Sequence, residues 1–191
     1  MIRRLADKCM EFLAKRTELD TSKLDAYVYG LEIFLHTLLS TLGLLVISAF
    51  FHRLAEGSVI IMLYYVNQTC GGGFHASTHT RCFLTMGVGL MIALTLLNYR
   101  PPYIGIWVIT VLAGGLLLCF PLKLHRNKAY LASKSSEFRR RSRIVVCIEL
   151  VVFIAWGCLG TANMLYAYSL GMAVSAVSRL TAILIREKET E

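Results

Sequence analysis

From Gly30 to Phe51 the chain runs for twenty-two residues with one formal charge, Glu32. A helix needs about that length of apolar sequence to cross the hydrocarbon core of a bilayer. Further apolar runs follow at Cys82–Asn98, Tyr103–Phe120, Ile144–Gly160 and Ala162–Ile185, with a shorter one of ten residues at 57–66. The chain is 56% hydrophobic and 17% charged, against about one quarter charged in an ordinary soluble domain. Disorder needs the opposite composition. Six cysteines in 191 residues are too sparse for a disulfide-stapled scaffold.

Only helices and closed barrels satisfy their backbone in lipid. We read residues 1–191 as a single all-α membrane domain, a polytopic helix bundle with about six transmembrane segments. The second segment, at 57–66, is expected to be short, tilted or partly re-entrant, because ten residues do not span a bilayer. The connections at 99–102 and 160–163 are short enough to force antiparallel helical hairpins.

The net charge of +8 is concentrated. Seventeen of the twenty Lys and Arg lie in residues 1–24, in 121–143, or from Arg179 onward. Six spans put both termini, the basic 121–143 loop and the polar segment 67–81 on one side, which the positive-inside rule makes the cytoplasmic face of a cell membrane. Five spans would break that bias. The long uncharged stretches argue against nucleic-acid binding, the other use of a basic balance. Within residues 1–26, Ile2, Leu5, Ala6, Cys9, Phe12 and Leu13 recur at helical spacing with charges between them, as in an amphipathic helix lying on a membrane surface. The mixture of acids and bases there is not that of a signal peptide.

The chemistry-bearing window is 67–82, which closes on CGGGFHASTHTRC. Cys82 can act as a thiolate nucleophile, with His75 as base and then acid to the leaving amine. Seven residues apart on a regular helix, the two would stand about 10 Å apart along the axis. A dyad therefore requires a bend in the glycine-rich part. Gly71, Gly72 and Gly73 allow that bend and carry N–H groups suited to an oxyanion. Arg81, and a position for Cys82 in the first turn of the next helix, would favour the thiolate. A second reading stays open on these residues alone: Cys70, His75, His79 and Cys82 are all zinc-ligand types, although their spacing is not a common one. A third is that the glycines form a plain turn and the window carries no chemistry.

The run GGGFHASTHTRCFL resembles the Gly-Gly-aromatic-His-Ala…Cys segment of the accessory gene regulator protein B family, bacterial membrane endopeptidases that process autoinducing-peptide precursors in quorum sensing. The resemblance extends over nearly the whole chain, including the basic amphipathic N-terminus and the loop PLKLHRNKAYLASKSSEFRRRSR with its Asn127–Lys128 pair. It implies a cysteine endopeptidase with His75 and Cys82 as the catalytic pair, no metal and no cofactor. One run departs: Asn67-Gln68-Thr69-Cys70 lacks the basic and aromatic residues that members often carry before the glycines.

The resemblance also implies a partner, a small precursor peptide with an amphipathic leader and an acidic tail, and a thiolactone or lactone product. Arg139, Arg140 and Arg141 are candidates for docking that tail; orientation and anionic-lipid contact explain them equally well. Glu149 lies inside a span, where an ionisable residue usually faces a bundle interior. Ala167, Gly171 and Ser175 form a small-xxx-small row for helix packing, within one protomer or across a homodimer. The competing class is a non-enzymatic transport or scaffold protein of the membrane, which would need neither His75 nor Cys82.

Overall fold

The computed structural model describes residues 2–14, 24–74, 78–99, 101–120, 135–159 and 161–188. The described residues form seven helices: α1 (Ile2–Ala14), α2 (Leu24–Phe50), α3 (Leu54–Gly71), α4 (His79–Leu96), α5 (Tyr103–Cys119), α6 (Ser135–Leu159) and α7 (Ala162–Lys188). The all-α class read from the sequence is thus the class observed. Leu24–Phe50, Ser136–Leu159 and Ala162–Ile185 are long and apolar enough to cross a membrane, and Thr80–Leu96 and Tyr103–Cys119 are shorter apolar helices.

The chain divides into two compact units, residues 1–44 and 45–191. The first holds α1 and most of α2. Along α1, Ala6 and Met10 are buried while Arg3, Arg4, Lys8 and Glu11 are exposed, the amphipathic pattern expected for residues 2–14. The remainder of the 1–26 segment up to residue 23 lies outside the described residues.

In the second unit α7 is the central helix. Of its apolar window 44% is buried, against 17% for α6. Its small-residue row is used inside the protomer: Ala167, Gly171 and Ser175 are all buried. A Cβ on Gly171 would stand 2.8 Å from Leu63 Cδ1 and 3.2 Å from the Ile60 Cα. Glycine therefore lets the α3 and α7 backbones approach, the packing that small residues give in membranes. On the opposite side Ser169 and Thr110 share a hydrogen bond of 2.6 Å, and Ser169 also donates to the Ile106 carbonyl at 3.1 Å, tying α7 to α5. Rings from α5, α6 and α7 pack in sequence, Trp107 edge-to-face with Phe153 at 5.0 Å and Phe153 tilted against Tyr168 at 5.8 Å. Outward-facing residues such as Val111, Leu112, Val151 and Ile154 stay exposed, as a lipid-facing surface requires.

Two elements differ from the sequence-based expectation. The second segment is one continuous helix of 18 residues, about 27 Å long, rather than a ten-residue or re-entrant piece. Helix continues through the polar run because other parts of the chain satisfy it. Asn67 Nδ2 donates to both Glu149 carboxyl oxygens at 2.8 and 2.9 Å, and Gln68 Nε2 donates to the Phe74 carbonyl at 2.9 Å. The basic 121–143 loop is shorter than expected, since residues 135–143 are the first turns of α6, where Glu137 pairs with Arg141 at 2.6 Å with i,i+4 spacing. Residues 121–134 lie outside the described residues.

Candidate functional site

The window singled out in the sequence lies where α3 ends and α4 begins. Gly72 stops α3 with φ 68° and ψ 172°, a conformation essentially reserved for glycine. Its N–H donates to the Gln68 carbonyl at 3.0 Å, closing the helix end. The chain then leaves the axis of α3 before Phe74. Phe74 is fixed on α7: its N–H donates to the Ser178 carbonyl at 3.1 Å and to Ser178 Oγ at 3.2 Å. A Cβ on Gly73 would stand 2.8 Å from Ser178 Oγ and overlap Gln68 Oε1, so this stretch of chain also lies hard against its neighbours.

Thr78 then starts α4 with an extended backbone, its side-chain oxygen accepting the Arg81 N–H at 3.3 Å. This is an N-cap, which satisfies one of the donors a helix start leaves open. Cys82 makes the first backbone bond of the helix, its N–H donating to the Thr78 carbonyl at 3.0 Å. It therefore sits in the first turn, half-buried, with the positive end of the helix dipole about it. Arg81, one residue earlier, is exposed.

His75 lies outside the described residues, three positions before the Thr78 cap and one after the anchored Phe74. The His79 side chain is likewise not described. Cys70 is half-buried in the last turn of α3. Among the described residues no three His, Cys, Asp or Glu side chains converge as a metal set, but two of the four zinc candidates fall outside that test. All six cysteines are thiols.

The arginines of α6 divide. Arg139, Arg140 and Arg143 line one groove together with Ser136 and Cys147. Arg141 is engaged by Glu137 instead. Arg143, not Arg141, completes the basic face.

A buried polar cluster behind the site was only half visible in the sequence. Glu149 takes its partner from Asn67, and its backbone carbonyl accepts the Tyr168 hydroxyl at 2.9 Å. Arg179, read from the sequence as one of the orienting charges, is instead 2% exposed. It donates to the Leu117 carbonyl at the end of α5 at 2.5 Å and to Ser142 Oγ at 3.2 Å. A cation there suits the negative end of α5. A Cβ on Gly71 would coincide with the guanidinium, so glycine lets Arg179 lie across the end of α3. The run before the glycines has no arginine of its own, and a guanidinium reaches this place from α7. Charge in a span was the signal, and it marked Glu149 and Arg179 without pairing either.

No curated protein and no solved structure matches the chain. A family model, that of accessory gene regulator B, matches residues 6–183, nearly the whole chain. The match takes in the bend at Gly72, the capped turn that carries Cys82 and the central helix α7, and on it the chain belongs to the accessory gene regulator B family.

Proposed function

We propose that this protein is a membrane cysteine endopeptidase that removes the C-terminal tail of a small autoinducing-peptide precursor. The observation that carries the reading is Cys82 in a capped first helical turn, in the same short polar window as a glycine-shaped helix end that is pinned to α7 at Phe74. His75 follows that anchor in the chain. In the proposed reaction Cys82 Sγ attacks the scissile carbonyl and His75 passes the thiol proton to the departing amine, leaving a thioester on Cys82. A cysteine thiol of the bound fragment then takes over the acyl group. The Cys82–acyl bond breaks as the ring thioester forms, and the proton of the incoming thiol restores Cys82. One thioester replaces another, so the step is nearly balanced when water is kept away. A serine in the same place would give a lactone.

Gly72 and Gly73 shape the segment in this scheme, and Gly71 admits Arg179 behind it. Arg139, Arg140 and Arg143 form a groove whose charge suits an acidic tail. The clusters of basic residues favour a cytoplasm-facing site and termini in a bacterial cell membrane.

The test is cleavage of a candidate precursor peptide with an amphipathic leader and an acidic tail, with purified protein in liposomes. Cys82→Ala and His75→Ala should abolish cleavage; His79→Ala and Cys70→Ala should retain it. Loss in all four variants, with zinc-dependent activity in the wild type, would replace the dyad with a metal site.

A further inference from the structure

Beside the Cys82 turn lies an apolar cleft of about 300 Å³ between α3, α4 and α7. Thr85, Met86, Gly89, Ala93 and Leu96 line it from α4. Those positions fall three, four, seven, eleven and fourteen residues after Cys82, so they continue the helix face on which Cys82 stands. Tyr64, Phe74 and Ser178 also line it. Phe74 donates its N–H to Ser178 Oγ there and directly precedes His75 in the chain. The cleft therefore has polar groups grouped around the Cys82 turn and apolar walls leading away along α4.

We propose that this cleft is a specificity subsite that takes an apolar side chain of the peptide beside the scissile bond. The inference rests on the proposed role of Cys82 as nucleophile. A peptide differs from a lipid chain in having amide groups directly at the base of its side chains. The cleft offers the matching arrangement: Phe74, the residue before His75, and Thr85, one turn after Cys82, at one end and aliphatic carbon beyond. Its volume is about twice that of the ~150 Å³ apolar cavity that takes up benzene, enough for an aromatic or long aliphatic side chain. Its walls are kept apart by small residues, Gly89 and Ala93 on α4 and Ala173 on α7. A Cβ on Gly89 would meet Val174 Cγ1 at 3.7 Å, an ordinary contact, so a larger side chain there extends into the cleft without strain at its root.

The experiment needs no knowledge of the natural peptide. Full-length protein in liposomes is treated with iodoacetamide or with N-benzyl-iodoacetamide, and thioether formation at Cys82 is followed by peptide mass mapping. In the wild type the benzyl reagent should react faster and show saturation. Gly89→Leu and Ala173→Leu should lose that advantage by about tenfold or more, the discrimination an apolar pocket gives. Their rate with plain iodoacetamide should be unchanged, which shows a folded protein with an intact Cys82 turn. Gly115→Leu is the control, since a Cβ there meets nothing within 4 Å and the residue does not line the cleft. It should keep the benzyl advantage.

Absence of the advantage in the wild type, or its survival in both filled variants, would overturn the subsite. So would a tightly bound phospholipid expelled by Gly89→Leu while benzyl selectivity persists, because the cleft would then be a lipid site. Cleavage of the precursor by Cys82→Ala would instead defeat the proposed catalysis and leave the alkylation result standing.

Discussion

Replacing the Asn67–Glu149 pair tests whether the buried cluster holds α3 to α6. One amide nitrogen donates to both carboxyl oxygens, at 2.8 and 2.9 Å, and the two residues are 3% and 5% exposed. Asn67 Oδ1 is buried without a hydrogen-bond partner among the described residues. Asn67→Leu removes an unsatisfied oxygen, but it strips the buried Glu149 carboxyl of the amide that serves both its oxygens. The net loss expected is about 2–3 kcal/mol. Glu149→Leu leaves the Asn67 amide only the Leu63 carbonyl at 3.1 Å and takes the acidic neighbour from buried Arg179. An incompletely satisfied buried amide costs about 1–3 kcal/mol. In the double variant neither the stranded carboxyl nor the under-used amide remains, so it should recover about 1–2 kcal/mol relative to the sum of the singles. The assay is reversible unfolding in mixed micelles, read by far-UV circular dichroism and run as a double-mutant cycle. Additivity within about 0.5 kcal/mol would refute the reasoning, because it would mean that the two side chains do not share their energy.

Three further outcomes follow from the geometry. Gly72→Ala forces a Cβ into a backbone conformation with φ 68° and should cost about 1–3 kcal/mol, with precursor cleavage falling more steeply than stability because the segment before His75 is re-aimed. Gly171→Val should push α3 from α7 by meeting Leu63 and the Ile60 backbone, lowering stability by about 1–3 kcal/mol in the same unfolding assay. Neutralising Arg139, Arg140 and Arg143 together should weaken precursor binding in a salt-dependent way, whereas Arg141→Gln should change it little because Glu137 already holds Arg141. Equal losses from the two, measured on correctly inserted protein, would dismiss the groove as the docking face.

How much of this the sequence disclosed depended on whether a signal was local. Apolar runs and prolines are local, so α4 and α5 were placed closely, with Pro101 and Pro102 separating them. The Cys82 turn was legible for the same reason, since the polar window gives way to an apolar run there; the Thr78 cap is seen only in the structure. The second segment was read too short because Asn67 and Gln68 looked like the end of a span. Their partners, Glu149 and the Phe74 carbonyl, are tertiary contacts. Arg179 was misjudged for a related reason. Near the end of a helix a guanidinium reads as an orienting charge, and only the packing of α5 and α6 shows that Leu117 and Ser142 receive it. The cleft could not be read at all, because its walls come from three helices and its small residues are ordinary in a membrane span.

The most direct measurement is the mass of the enzyme during turnover. Purified protein in liposomes is mixed with the precursor, quenched in acid and examined by intact-mass and peptide mass spectrometry. The account predicts an adduct of the N-terminal fragment on Cys82, cleaved by hydroxylamine as thioesters are, and absent in both Cys82→Ala and His75→Ala. Cleaved precursor with no adduct on Cys82, together with full cleavage by Cys82→Ala, would contradict it.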